Sequence, residues 1–475
     1  MTNKFYITTT LPYVNSEPHI GFALEIVQAD ALARYQRLQG KNVFFNFGVD
    51  EHGLKIYRKA VEAGKEPQSY CDEYAVKFEA LKKALNLSYN NFVRTTDEHH
   101  IKAAQEFWRE CDRKGDIYKK NYKTKYCVGC ELEKTDSELT DGRCLIHPNR
   151  ELEIIEEENY FFRFSKYQKP LLDFYDKTPD FVIPESKFNE IKTFVKNGLQ
   201  DFSVSRLKNK MPWGIDVPND PEQVMFVWFD ALVNYVSAVG WPDDMKKFKT
   251  WWPVVQFAGK DNLRQQTATW QAMLMSAGLA NSKQIFIHGF ITIDGQKISK
   301  SLGNVINPIE LVEKYGTDPV RYYLLAKVSP FEDGDFSESK LKEVYNTDLA
   351  GGLGNLVARV ITLSSKFKIQ SSKLANPELA MAVEEMKQKV GKAMQEFKFN
   401  EALLAIWQLI AFCDRYIDKT KPWEEKEQSK QVIGDLLLVI GAVADSLVPF
   451  LPETSAKIQQ QLLTNKKENL FPRLN

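Results

Sequence analysis

Four groups of side chains in this 475-residue chain have the types and spacing to do chemistry. The first is Lys297-Ile298-Ser299-Lys300-Ser301, which follows the β-branched run Phe290 to Ile293 and an Asp294-Gly295 turn. A short loop with two lysines and two serines is cationic and rich in small donors. It suits a leaving pyrophosphate, on whose oxygens charge builds while fixed cations meet it. Read alone, the pentapeptide serves equally as solvated surface. The second group is Pro18-His19-Ile20-Gly21-Phe22. Here His19 stands just before a helical pattern whose free N–H groups favour phosphate. The third is Asp50 in Gly48-Val49-Asp50-Glu51-His52-Gly53, at the end of a strand-like run. A carboxylate there can meet a cationic amino group. Taken singly, His19 reads as a cap or turn residue and Asp50 as a loop acid; on neighbouring strand ends they point to a site.

The fourth group is Cys127-Val128-Gly129-Cys130, followed after thirteen residues by Cys144-Leu145-Ile146-His147. A Cys pair and a Cys/His pair at this spacing make a tetrahedral zinc knuckle. Four protein ligands close the coordination sphere, so the metal is structural and folds a small insert. A redox Cys-x-x-Cys would leave Cys144 and His147 without a role. Cys71, Cys111 and Cys413 stand alone in helix-like stretches and read as reduced core or surface thiols.

The elements that must position these groups alternate strand and helix. Residues 4–10 read as a buried strand, 21–39 as a helix stopped at Gly40, and 43–47 as a second strand. This is the opening of a nucleotide-binding α/β unit, in which ligands sit beyond the carboxyl ends of the strands. Residues 68–117 read as helices around a short strand at 92–96. Residues 118–127 turn β-like, and 151–222 interrupt the alternation. It resumes with a strand at 224–230 leading into a helix at 231–239, a strand at 254–258 opening on Gly259-Lys260-Asp261, and a helix at 264–277. From 346 onward strand patterns vanish, and amphipathic stretches at 346–367, 379–397, 401–419 and 430–449 argue a helical bundle. Lys plus Arg equals Asp plus Glu at 63 each, so a nucleic-acid partner needs a local basic surface. The apolar runs are too short to span a bilayer and the N-terminus has no signal-peptide core, which reads as a cytosolic-type protein with no membrane partner. No Gly-x-Ser-x-Gly or Walker loop points to a hydrolase or another nucleotidyltransferase.

Together, in order and over nearly the whole chain, these pieces resemble the class I aminoacyl-tRNA synthetases, and within them the methionyl-tRNA synthetase family. The resemblance is carried by Leu11-Pro12-Tyr13, His19-Ile20-Gly21, Asp50-Glu51-His52-Gly53, the zinc knuckle, Val227-Trp228-Phe229-Asp230-Ala231, Gly259-Lys260-Asp261 and Lys297 to Ser301. It implies a split Rossmann-like α/β catalytic domain with a zinc-knuckle insert, then an all-α anticodon-binding bundle. The boundaries it implies are 1–117 and 223–275 for the catalytic halves and 118–222 for the insert, with the knuckle at about 122–150. A lysine-loop and stem-contact region follows at 276–345, and the bundle fills 346–475. The implied reaction joins methionine to ATP as methionyl-adenylate and passes the acyl group to the 3′-terminal adenosine of tRNA(Met), with Mg2+ accompanying ATP and structural Zn2+ in the knuckle. His19, Gly21, Gly259, Asp261, Lys297 and Lys300 would bind ATP, with His19, Lys297 and Lys300 catalytic. Asp50 would pair with the substrate ammonium, and Leu11, Tyr13, Trp228, Ala231, Tyr235, Gln266 and Trp270 would line its side chain. Asn355, Arg359 and Trp423 would read the anticodon. Since the chain ends soon after the bundle, a monomer without an appended RNA-binding domain is expected.

Four positions depart from the family pattern. Phe22 stands where the first motif normally ends in His, and phenylalanine cannot donate to phosphate. Gln265 and Gln266 replace a usual Phe-His pair, which makes the pocket more polar; Leu232, often Pro, is a milder change. Such changes fit either a working methionyl enzyme or a paralogue with an altered amino acid or acceptor. A retired synthetase that only binds tRNA is a third reading, disfavoured by the intact Asp50 and lysine loop.

Overall fold

The computed structural model describes residues 3–134, 138–298, 303–367, 374–424 and 428–474. The chain divides into two compact units: residues 1–17, 42–80 and 89–287 form the first, and 18–41, 81–88 and 288–475 the second.

The first unit is built on a six-stranded sheet in the order Asn91–Arg94, Asn42–Val49, Lys4–Thr8, Val255–Gly259, Gln284–His288, Val182–Ile183. Lys4–Thr8 pairs in parallel with both Asn42–Val49 and Val255–Gly259. Its strands read as near-continuous apolar runs, such as Val43-Phe44-Phe45, because a parallel sheet is covered on both faces. The strand order reverses at Lys4–Thr8, and a crevice beyond the carboxyl ends at such a switch point is where α/β folds bind ligands. Gly259 ends its strand, and Leu11, Asp50 and Asp261 follow the carboxyl ends of these central strands.

Two antiparallel sheets interrupt the alternation. Ile117–Cys127 pairs with Glu153–Phe162 from Ile117↔Phe162 through Tyr126↔Glu153, flanked by Leu132–Lys134 and Phe202–Ser203. The strand expected at 224–230 is displaced: Asp220–Met225 is the central strand of a three-stranded antiparallel sheet, and Val227–Leu232 is already helical. A continuous apolar run has no period to separate the two. The consequence is functional, since Trp228, Asp230 and Ala231 ride on a helix. Val182–Ile183, from the stretch read as an interruption, pairs in parallel with the Gln284–His288 strand.

In the second unit the helix Ile20–Leu38 buries Asp30 against two arginines, Arg34 and Arg321, each at 2.8 Å. Burial would raise the Asp30 carboxyl, but Arg321 and Arg34 outweigh it and hold it below the usual range. Arg321 spends its other donors on the carbonyls of Phe450, Pro449 and Leu85. A small sheet, Gln296–Lys297, Ile291–Ile293 and Gly334–Phe336, precedes the helices. From Asn355 these are Asn355–Phe367, Pro377–Gln395, Phe399–Thr420, Ser429–Leu447 and Pro452–Thr464, the bundle the patterning predicts. No helix among the described residues is long and apolar enough to cross a membrane.

Candidate functional site

The chemistry of the first unit centres on two buried aspartates treated in opposite ways. Asp230 is supplied from both sides: His52 Nδ1 lies 2.8 Å from one oxygen and His100 Nε2 3.1 Å from the other. The second His100 nitrogen meets Ser237 Oγ at 3.0 Å, which fixes that ring. Burial opposes ionisation of Asp230, but the two histidines prevail and lower its pKa. Asp50 is held by its backbone, with its N–H on Pro12 O at 2.9 Å and its carbonyl accepting from Val14 N–H at 3.2 Å. Among the described residues its carboxylate receives two long contacts, from Thr95 Oγ1 and His52 N–H, each at 3.4 Å. Burial, then the Asp230 and Glu131 charges, push the Asp50 carboxyl well above the usual range. A buried carboxylate under-supplied in this way is a receptor for a cation.

The backbone bridge between Tyr13 and Asp50 sets the phenol beside this acid. Tyr13 and Trp228 pack together against Tyr126, Val128, Phe226 and Val227. Tyr235, Gln266 and Trp270 form a second, deeper group. Gln256 donates to Gln266 Oε1 at 3.0 Å, and Gln266 donates to the Tyr235 hydroxyl at 2.9 Å. Because the Tyr235 oxygen accepts, its own proton is left to point elsewhere. Trp270 is fully buried, edge-on to Tyr235 and stacked on Phe107, so it serves the core as well as the pocket wall. The indole nitrogens of Trp228 and Trp270 are buried without an acceptor among the described residues. Ala231 lies one turn from Val227 on the same short helix. Leu11 sits between the first strand and Tyr13, half-buried. Gly259 ends its strand in extended backbone, and Asp261 is exposed in the tight turn Lys260–Asn262.

Cys127, Cys130, Cys144 and His147 bring their ligand atoms within 4.8 Å of one another. Cys130 Sγ is 3.5 Å from Cys144 Sγ and 3.2 Å from His147 Nδ1, and Cys127 Sγ is 3.8 Å from His147 Nδ1. A tetrahedron with zinc–sulfur bonds of ~2.3 Å has ligand–ligand edges of roughly 3.8 Å, so the donor set fits zinc. Gly129 permits it: a Cβ there would lie 2.6 Å from the His147 ring. The remaining cysteines are buried thiols, with burial pushing Cys111 and Cys413 up to about 12.

In the second unit, His19 is both cap and candidate ligand. Its Nδ1 accepts from Gly21 N–H at 3.1 Å at the start of Ile20–Leu38, which leaves the neutral ring its proton on Nε2. Phe22, the departure from pattern, stacks on that ring at 4.2 Å between centroids. It cannot bond phosphate, but it holds the imidazole that can. The helix start is also tied to the chain beyond the lysine loop, Ile20 N–H donating to Ile306 O at 3.0 Å. Ile298 Cδ1 lies 4.0 Å from the point where a Gly21 Cβ would stand. Ile298 therefore lies close to the start of the His19 helix. The Lys297 side chain and all of Ser299, Lys300 and Ser301 lie outside the described residues.

Asn355 and Arg359 share one face of Asn355–Phe367, and Trp423 is half-exposed in the tight turn Pro422–Glu424. The Arg359 guanidinium lies 5.9 Å from the Trp423 ring centroid and pairs with Asp418 at 2.7 Å and Asp414 at 3.5 Å. An indole shelf beside an oriented guanidinium suits an unpaired base. Trp423→Ala should weaken tRNA charging roughly tenfold to a hundredfold through the tRNA KM, since one stacked base contributes about 1–3 kcal/mol. Pyrophosphate exchange without tRNA should not change; an equal loss in both assays would remove Trp423 from the RNA face.

His52, His100, Asp230 and Gln256 escaped the choice of site residues. His52 and Asp230 lie inside the motifs, whereas His100 and Gln256 have only their burial to mark them, and burial is not visible in a sequence.

Comparison with known proteins gives the family. The family model described as "tRNA synthetases class I (M)" matches residues 5–144 and 129–361, and "Anticodon-binding domain of tRNA ligase" matches 379–472. Methionine–tRNA ligase of Thermosynechococcus vestitus is 44% identical over 97% of this chain and 90% of its own length. That of Thermotoga maritima is 42% identical over 98% of this chain and 76% of its own. Among solved structures, Mycobacterium tuberculosis methionyl-tRNA synthetase in complex with methionyl-adenylate superposes with a TM-score of 0.93 at 34% identity, covering 99% of this chain and all of that one.

Proposed function

The chain belongs to the methionyl-tRNA synthetase family of class I tRNA synthetases, and from that premise we propose how its residues divide the work of a methionine–tRNA ligase. The enzyme activates methionine with ATP and charges tRNA. Asp50 binds the methionine ammonium. The observation that supports this role is its buried, under-supplied carboxylate next to a fully supplied Asp230. Tyr13, Trp228, Ala231, Tyr235, Gln266 and Trp270, with Leu11 at the rim, enclose the thioether, whose polarizable sulfur favours aromatic walls and a hydroxyl proton.

The methionine carboxylate then attacks the α-phosphorus of ATP in line; a new C–O–P linkage forms, the α–β bridge breaks and pyrophosphate leaves. His19, through Nε2–H, and the N–H groups at the start of Ile20–Leu38 hold phosphate oxygens. Lys297 and Lys300 meet the charge that develops on pyrophosphate. Gly259 and Asp261 take the adenosine, Gly259 by close backbone approach and Asp261 at the ribose. Magnesium accompanies ATP and neutralises phosphate charge. In the second step the 3′-terminal adenosine of tRNA(Met) takes the acyl group and AMP leaves; Asn355, Arg359 and Trp423 select that tRNA. Zinc in the Cys127, Cys130, Cys144 and His147 knuckle supplies a structural cross-link. Such an enzyme works where translation does, in the cytoplasm.

The test is ATP–pyrophosphate exchange with purified protein against each of the twenty amino acids. Exchange with methionine alone is expected; exchange with a different amino acid, or silence throughout, overturns the assignment. The amide pair gives a second, sharper test. Gln265→Phe with Gln266→His replaces the amide that bridges Gln256 and Tyr235 by an imidazole of different reach and should shift the methionine KM several-fold, on the order of 1 kcal/mol for a weakened bond. An unchanged KM and unchanged rejection of norleucine would take Gln266 out of the pocket.

A further inference from the structure

We propose that Glu131 is the positioning residue through which the zinc knuckle sets the loop Asp50–Gly53. The inference rests on the reading of Asp50 as the ammonium site. Glu131 directly follows the knuckle's Cys130, is 1% exposed, and adopts a left-handed backbone (φ +50°) that a non-glycine residue seldom takes. That turn aims its carboxylate away from the knuckle and onto the active-site loop. Oε1 accepts the backbone N–H of Lys55 at 3.0 Å, in the first turn of the helix Leu54–Glu62.

This helix has no cap of its own. Its N-cap is Gly53, at φ +111°, a residue with no side chain to satisfy the free N–H groups. Glu131, distant in sequence, supplies the missing acceptor as a carboxylate, the favoured charge at a helix N-terminus. The fit is close: a Cβ on Gly53 would stand 2.9 Å from Oε1 and 3.3 Å from Oε2. The Glu131 carboxylate also takes a hydrogen bond from the Tyr13 hydroxyl, and its charge acts on both Tyr13 and Asp50. The loop is therefore held by Pro12 and Val14 at Asp50, by Trp213 O at the Gly53 N–H, and by Glu131 at Lys55 just beyond. Bound zinc would fix Cys130, the next residue holds Lys55, and Asp50 lies five residues before Lys55.

The experiment compares Glu131→Ala and Glu131→Gln with the metal-loaded wild type in the full chain. It reads bound zinc, melting temperature, the KM for methionine and for ATP, methionine Kd by calorimetry, and amide exchange over residues 53–58. Glu131→Ala should keep its zinc, raise methionine Kd and KM roughly tenfold, the equivalent of one lost helix cap, and speed exchange in the first turn of Leu54–Glu62. ATP KM and kcat should stay within about twofold, because only substrate positioning is lost. Glu131→Gln, whose amide oxygen still accepts from Lys55, should recover most of the methionine affinity. Chelating zinc from the wild type should raise methionine Kd by a similar factor, and chelation of Glu131→Ala should add little, as for two changes acting along one connection. A normal methionine KM in Glu131→Ala, no recovery in Glu131→Gln, additive effects of chelation, or loss of zinc from both variants would overturn the proposal. Should Glu131→Ala not fold, Glu131→Asp, too short to reach Lys55, takes its place with the same expectations. Asp50→Asn run in parallel separates the two readings: intact methionine binding there defeats the Asp50 assignment, whereas lost binding there with a silent Glu131→Ala defeats only this inference.

Discussion

Asp50→Asn lowers methionine affinity by a factor on the order of 10², because removing one partner of a buried charge pair typically costs about 2–5 kcal/mol. The replacement keeps the size and the backbone clamps to Pro12 and Val14, so the loss falls on charge alone. The pH dependence gives the assignment its sharpest form. In the free enzyme burial and the Asp230 and Glu131 charges hold the Asp50 carboxyl well above its ordinary value. An arriving ammonium favours the carboxylate, so binding below that raised pKa must release a proton. Methionine affinity therefore climbs as pH rises through the raised pKa, at most tenfold per unit, and then levels off. Calorimetry in buffers of different ionisation enthalpy counts the proton. Asp50→Asn should abolish both the slope and the proton release. The stability of the free enzyme moves the other way. An acid whose folded pKa is raised stabilises the fold at low pH, and that stability is lost as pH rises from the unfolded value through the folded one. Near neutral pH the asparagine variant should thus melt no lower than wild type, which separates a binding defect from a folding one. A wild-type affinity independent of pH from 5 to 8, with no proton released, would sink the role.

What the sequence reveals here follows from what is local. The central strands carry apolar runs long enough to announce themselves, the knuckle's ligands have a spacing that few other structures explain, and the bundle has a helical period. That same period puts Asn355 and Arg359 one turn apart on a shared helix face. Failures occur where long-range packing decides. The Val224–Asp230 run is apolar without period, and only the antiparallel partners of Asp220–Met225 stop the strand and let Val227–Leu232 turn helical. The helix Leu54–Glu62 begins at a glycine with no capping side chain, and its acceptor arrives from Glu131. His100 looks like any helix histidine until Asp230 and Ser237 are brought to its two nitrogens. Phe22 shows the same limit in reverse. As a residue type it is a lost donor; in place it is a stacking partner that orients His19.

The second large effect is expected at the lysine loop. Lys297→Ala and Lys300→Ala should each slow methionyl-adenylate formation by roughly 10²–10³, the usual loss when one fixed group facing transition-state charge is removed. The scaffold bears on this. Asp335 accepts from Thr292 Oγ1 and from Gly295 N–H, each at 2.7 Å, and so pins both the strand and the turn that deliver the chain to Lys297. The Gly295 N–H bond, outweighing a small burial penalty, keeps that carboxyl below its usual range and hence charged at any working pH. Ile298, between the two lysines, reaches the Gly21 end of the His19 helix, which supports the proposal that the lysines and the helix N–H groups act on one cluster of phosphates. They differ in timing. On the proposed roles, the helix N–H groups and His19 act on phosphates already charged in bound ATP, whereas the extra charge that the lysines would meet appears only as pyrophosphate departs. The lysine variants should accordingly lose kcat and leave the methionine and ATP KM within a few-fold, while His19→Asn should raise the ATP KM as well. Because the two lysines face one leaving group, the double variant should lose less than the product of the single losses. Single-turnover adenylate formation measures all of these; a loss below about fivefold, or one confined to the ATP KM, would place the loop outside the transition state.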